Sequence, residues 1–184
     1  EGVYGIITSV EMKIYPIAET RIFQAYTFPS THDGLNAIRN FIHKGLRPAV
    51  VRLYDEVEAV PKISSYGFEK GFVLLILVFE GNKEMSELEA GMTKEICLGN
   101  NGRYKGELAA REWLETRFST KKMLDFDAIK GGTADAIEVA APWDCIENVW
   151  REMRKALEPM CTVVDCHFSH VYHNGASVYV IYHA

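Results

Sequence analysis

Arg52 stands in "VVRLYD", a run of β-branched and apolar residues in which a charge is out of place. On a strand its side chain shares a face with Val50 and Tyr54. A half-buried guanidinium needs a partner, and one that faces a cleft commonly takes a carboxylate or phosphate in a bidentate grip. An edge-strand arginine or a structural ion pair accounts for it equally well. Tyr179 lies in "GASVYVIYHA", on one strand face with Ser177, Ile181 and His183. A tyrosine hydroxyl can move a proton if a cation nearby lowers its pKa, although packing is the commoner role of such a residue. Arg117 follows Trp113 and Leu114 on an expected helix, where a solvated helix end explains it by itself.

"CTVVDCHFSHVYH" gathers Cys161, Asp165, Cys166, His167, His170 and His173, residue types that bind zinc. Alternation along a strand puts Asp165, His167 and His173 on one face and Cys166 and His170 on the other. One strand does not close a four-ligand cage from both its faces, so ordinary sheet residues are the reading and no metal is expected. Free thiols are expected for Cys97, Cys145, Cys161 and Cys166, which show neither a CxxC pair nor a dense framework. No GxGxxG, GxxxxGK[ST] or HExxH occurs, which argues against a self-sufficient nucleotide enzyme or a zinc protease. A net charge of −5 argues against a nucleic-acid surface. The longest apolar run, "FVLLILVF", is too short for a membrane helix, and no signal peptide is recognisable.

The elements that would position these residues read as follows. Alternation predicts strands over 4–15, 21–28 and 48–55, with a helix after Ser30 striped by Leu35, Ile38, Phe41 and Ile42. Residues 71–81 are apolar on both faces and should form a central strand covered on both sides. Asn82 should cap a helix striped by Met85, Leu88, Met92 and Ile96, so that a second unit of the strand–helix kind begins there. A polar turn over 99–106, a helix around "ELAAREWLETRF", an irregular 119–135 and a strand over 136–140 follow. Pro142 suits the first position of a helix striped by Trp143, Ile146, Trp150, Met153 and Leu157. Strands over 161–172 and 176–184 should close as a hairpin at Asn174-Gly175. The fold class is α+β: an antiparallel sheet with helices mostly on one face and ferredoxin-like repeated units.

Taken in order, "EGVYGIIT", "FPSTHDGLNAIRNFIHKGLRPAVVRLYD", "LVFEG", "APWD" and "SHVYHNGASVYV" resemble the FAD-linked oxidases of the vanillyl-alcohol oxidase type over nearly the whole chain. The branch most similar is that of the alkyldihydroxyacetonephosphate synthases, marked by the arginine of "VVRLYD". The resemblance implies that 1–17 is the terminal strand of an FAD-binding domain. It makes 18–184 a substrate-binding cap domain, cut short at its C-terminal end. Glu1, Gly2, Val3, Tyr4, Gly5, Ile6 and Ile7 would then contact FAD, whose main binding loop lies upstream. Arg52 would support the active site near the substrate's polar head, Arg117 would bind substrate phosphate, and Tyr179 would take the C1 proton.

Such an enzyme uses its flavin without net oxidation. It exchanges the acyl chain of acyl-dihydroxyacetone phosphate for a fatty alcohol in ether-lipid synthesis. The implied partners are a small-molecule or lipid phosphate substrate and no nucleic acid, with room for peripheral membrane contact and a homodimer. The implied location is the cytoplasm, or the peroxisome for eukaryotic members. Two other readings compete: an FAD-linked dehydrogenase or oxidase of a 2-hydroxy acid such as glycolate or D-lactate, and a free-standing ligand-binding module.

Overall fold

"VLLILVF" offers an apolar side chain to both faces of any strand it forms, so it must lie in the middle of a sheet with cover above and below. A computed structural model of the chain, which describes residues 3–69, 72–119 and 133–184, places it there. The strands are β1 (Thr20–Phe28), β2 (Val50–Tyr54), β3 (Val73–Gly81), β4 (Arg103–Tyr104), β5 (Ala134–Pro142), β6 (Val163–Val171) and β7 (Gly175–His183). They form one antiparallel sheet in the order β4-β1-β3-β2-β6-β7-β5. The helices are α1 (Thr31–His43), α2 (Glu56–Ser65), α3 (Lys83–Gly99), α4 (Leu108–Thr116) and α5 (Ile146–Leu157).

On the first face, α1, α3 and α5 bury Ile38, Phe41, Cys97, Ile146 and Trp150 against Leu53, Leu75, Leu77, Phe168 and Val178. On the second face, α2 and α4 bury Ala59, Ile63, Ala109 and Ala110 against Phe23, Ala25, Leu74, Ile76 and Val78. The seven residues from Val73 to Phe79 are all buried, each worth about 1.5–3 kcal/mol of transfer free energy, so the doubly covered β3 anchors the fold.

The repeat lies elsewhere than expected. β1-α1-β2-β3 and β5-α5-β6-β7 have the same topology, with the last strand of each unit inserted between the first two. The strands of the two units meet where β2 pairs with β6, through Leu53↔Phe168 and Tyr54↔His167. The helix α3 belongs to neither repeat and leads instead to the short β4.

Local physics explains four further differences. No strand forms over residues 3–18, where Tyr4 and Ile6 are 95% and 91% exposed. The alternating pattern is present, but a strand exists only against a neighbour and none of the described strands pairs with it. In α3 the buried face is Ser86, Ala90, Thr93 and Cys97, while Met85 and Leu88 of the expected stripe are each 57% exposed. Small side chains let α3 approach β1 closely enough for Gln24 Nε2 to donate to the Ala90 carbonyl at 3.1 Å. Pro142 ends β5 opposite Gly175 and does not start α5, which begins at Ile146. Lacking an N–H, proline suits a strand end as well as a first helical turn. Finally, α2 occupies 56–65, where the sequence pattern predicts no element.

The cap residues Ser30 and Asn82 behave as expected, accepting from Asp33 N and Met85 N. The hairpin closes over 172–175, and a Cβ at Gly175 would lie 2.2 Å from the Ala141 carbonyl oxygen.

Candidate functional site

The junction of the repeats carries the polar side chains. Arg52 of β2 points to the second face, where Asp55 starts α2 by accepting the N–H groups of Val57 and Glu58 at 3.1 and 2.9 Å. That cap sets Glu58 in the first turn of α2, where the helix dipole favours a carboxylate, and turns it toward Arg52. Glu58 Oε2 lies 2.8 Å from His167 Nδ1, and Oε1 lies 3.3 Å from Lys62 Nζ and 3.9 Å from Arg52 Nη2. His167 is buried and pairs with Tyr179 across β6–β7, their rings stacked with centroids 5.0 Å apart and planes within 11°. The Arg52 guanidinium lies 5.1 Å from the Tyr54 ring and 6.0 Å from the Trp113 ring. A cleft of about 290 Å³ opens here, lined by Val50, Arg52, Trp113, Ser169 and His170. A second hollow of about 370 Å³ lies between α2 and α4 and shares Trp113 as a wall.

His170 departs from the alternation rule. A bulge between Ser169 and Val171 gives it a φ of 53°. This sets its ring 6.1 Å from that of Tyr179, beside His167 and not on the opposite face as expected. Even so, among the described residues no group of three or more His, Cys, Asp or Glu side chains gathers as a metal centre. All four cysteines are free.

The protons follow from geometry. Burial pushes the Glu58 carboxyl up, but the His167 hydrogen bond together with Lys62 and Arg52 outweighs it and holds the group at about 2. Burial pushes His167 below its ordinary value, against the pull of Glu58, so the imidazole is neutral. An ionised carboxylate only accepts, which places the single ring proton on Nδ1. Arg52 Nη2, 3.1 Å from that same Nδ1, therefore faces a donor and makes no hydrogen bond there. Arg52 Nε is buried with no hydrogen-bond partner. A guanidinium beside two aromatic rings with an unmatched N–H has hydrogen-bonding capacity of the kind an oxyanion can use.

The expected site residues thus separate. Arg52 and Tyr179 come together around His167. Arg117 does not join them: it is exposed at the end of α4, donates to the Leu114 carbonyl and lies over the Phe118 ring. Val3, Tyr4, Gly5, Ile6 and Ile7 are exposed, and Glu1 and Gly2 lie outside the described residues, as does most of the irregular stretch 119–135. Tyr179 differs from expectation in its titration. Its hydrogen bond to Glu138, the facing residue on β5, raises its pKa above the ordinary value, and the smaller pull of Arg52 does not reverse this. Glu58 and Lys62 are absent from the sequence-based site because α2 is. The signal was available: Asp55 followed three residues later by Glu58, then Ala59 and Ile63, is a capping-box pattern.

Comparison with known proteins agrees with this fold. Residues 17–184 match the family "FAD linked oxidases, C-terminal domain". The chain is 22% identical over 208 residues to an alkyldihydroxyacetonephosphate synthase of Trypanosoma brucei brucei, covering 97% of this chain and 34% of that protein. It is 25% identical over 201 residues to YgcU, an uncharacterized FAD-linked oxidoreductase of Escherichia coli (strain K12), covering 99% and 40%. A probable mitochondrial D-lactate dehydrogenase of Danio rerio is 26% identical over 119 residues, covering 64% and 23%. The chain thus spans well under half the length of these relatives. A solved alkyldihydroxyacetonephosphate synthase superposes with a TM-score of 0.80 at 20% identity, over 92% of this chain and 36% of that one. The 4-ethylphenol oxidase of Gulosibacter chungangensis gives 0.71 at 12% identity, over 94% and 41%. With the family model matched over all but its first 16 residues, this chain belongs to the C-terminal domain family of the FAD linked oxidases.

Proposed function

We propose that this chain is the substrate-binding cap of an FAD-dependent enzyme, and that the enzyme exchanges the acyl chain of an acyl-dihydroxyacetone phosphate for a fatty alcohol. One observation carries the reading: the under-satisfied Arg52 guanidinium lines a cleft with His170, whose ring lies 6.1 Å from that of Tyr179, and Tyr179 in turn stacks on the His167 that Arg52 approaches at 3.1 Å. Arg52 would hold the polar head, and Tyr179 would take the C1 proton once substrate or the rest of the enzyme draws Glu138 off its hydroxyl. Similarity to the synthases over the length of the chain supports this choice.

FAD would supply the reactive ring beside which this exchange occurs. Val3, Tyr4, Ile6 and Ile7 form an uncovered apolar ribbon, which suits contact along a flat cofactor. The sequence has no glycine-rich phosphate loop, so the grip on the pyrophosphate would come from outside these residues.

A 2-hydroxy acid dehydrogenase is the second reading. The position of Arg117, away from the junction, favours it, because a single guanidinium matches a carboxylate better than a dianionic phosphate. In the complete flavoprotein, Tyr179→Phe should abolish C1 proton exchange and leave the flavin bound. Normal exchange would remove Tyr179 from its role, and flavin reduction by lactate or glycolate would replace the synthase reading with the second one.

A further inference from the structure

Glu58 is the hub of the junction. One oxygen accepts the hydrogen bond of His167 Nδ1–H at 2.8 Å; the other meets Lys62 at 3.3 Å and reaches Arg52 only at 3.9 Å. Its side chain is 11% exposed and His167's is 5%, so solvent competes little for either. The helix dipole favours a carboxylate in this first turn, but it does not call for one that is buried and turned onto the sheet. Ala59 and Ile63 carry the apolar contact of α2, and Asp55 already caps it.

What Glu58 does is orient two other residues. With the proton on Nδ1, the neutral His167 ring lies flat under Tyr179 and edge-on to Tyr54, which fixes the tyrosine on which the proposed chemistry depends. With Arg52 engaged at long range, the charge is partly balanced and the guanidinium keeps N–H capacity for a ligand.

Resting on the reading of Arg52 as the anchor for an anionic head, we infer that Glu58 is the positioning residue of this site: it sets the His167 tautomer beneath Tyr179 and, as a distant counter-charge, weakens the hold of Arg52 on oxyanions. Release of product follows from the second role. A fully uncompensated, half-buried guanidinium would bind its anion tightly and let it go slowly.

Nitrogen-15 NMR of the 184-residue chain at neutral pH tests this, with inorganic phosphate as the probe. His167 should show the Nδ1–H tautomer in the unaltered chain, and Nε2–H there would overturn the inference without any variant. Glu58→Ala should lose the tautomer preference. Glu58→Gln, which keeps an acceptor but no charge, should restore it. Read from the Arg52 Nε–H resonance, Glu58→Gln should also bind phosphate about tenfold more tightly, a modest effect for a charge at that distance in a partly buried site. Retention of the preference in Glu58→Ala would overturn the orienting role, and equal phosphate affinity in Glu58→Gln would overturn the counter-charge role. If phosphate moves no Arg52 resonance in any form, the anchor reading fails and the counter-charge role with it. The tautomer still decides the orienting role in that case.

Discussion

Two halves of one sheet share a topology and differ in what covers them. Over β1, β3 and β2 the second face meets α2 and α4 and carries Phe23, Ala25, Leu74, Ile76 and Val78. Over β6 and β7 the same face carries Asp165, His167, Tyr179 and His183, and of the described helices only α2 reaches onto it, at the β6 edge. Cover and polarity change together at the β2–β6 junction. A repeat that carries apolar side chains on one copy of a face carries titratable ones on the equivalent face of the other copy, and Arg52 lies on the line between them.

The sharpest way to break the comparison is at the junction core. Phe168 is fully buried on the first face, pairs with Leu53 across the junction and meets Trp150 edge-on at 6.1 Å. Phe168→Ala should cost about 3–5 kcal/mol, read as a lower urea midpoint, because the cavity lies under both halves at once. A cost below 1 kcal/mol would mean that the halves are held independently.

Titration distinguishes the carboxylate under α2 from the one on β6. Glu58, under α2, titrates at about 2 in the folded chain against an ordinary 4.5. Its stabilising contribution is complete above pH 4.5 and disappears as pH falls toward 2. That amounts to about 3 kcal/mol for a shift of this size in a buried group. Asp165, on the β6–β7 half, is raised by burial and by Glu58 to about 6 from 3.8. Its contribution is present below pH 3.8 and is lost as pH rises through 6. Unfolding measured across pH should show Glu58→Gln flattening the acid limb and Asp165→Asn flattening the limb between 4 and 6. A common effect of both changes on one limb would deny that the two halves differ.

The smallest effect lies at the bulge. His170→Gly should raise stability by up to about 1 kcal/mol, since a left-handed residue with a Cβ carries that order of strain. A loss of stability would show that the His170 ring over Tyr179 contributes more than the strain costs.

How much of this was legible in the sequence depends on where the determinant lay. The central place of β3 was legible because apolarity on both faces has one solution, and so was the Asn174-Gly175 hairpin, because the turn chemistry is local. Arg52 was legible as a charge out of place in an apolar strand, whereas Tyr179 read by itself as a packing aromatic. The face of α3 was not, because small Ser86, Ala90 and Thr93 win burial by close approach, which side-chain hydrophobicity does not report. The helix α2 was obscured by Pro61, which removes one internal hydrogen bond yet is tolerated under a strong Asp55 cap, and Glu58 and Lys62 were lost with it. The side of His170 was set by a bulge, a register event between two strands that neither strand records alone.

Nine residue pairs join β1 to β3 and two join β2 to β6, helped by the Asp55 N–H to Cys166 carbonyl bond of 2.8 Å. In mechanical terms the sheet has a seam. Under shear, displacement would concentrate where few ladder bonds cross, and Arg52 on one half would shift relative to Tyr179 on the other. A molecule held by both residues would act as a rivet across that seam, and the stiffness of the whole sheet would report whether the cleft is filled.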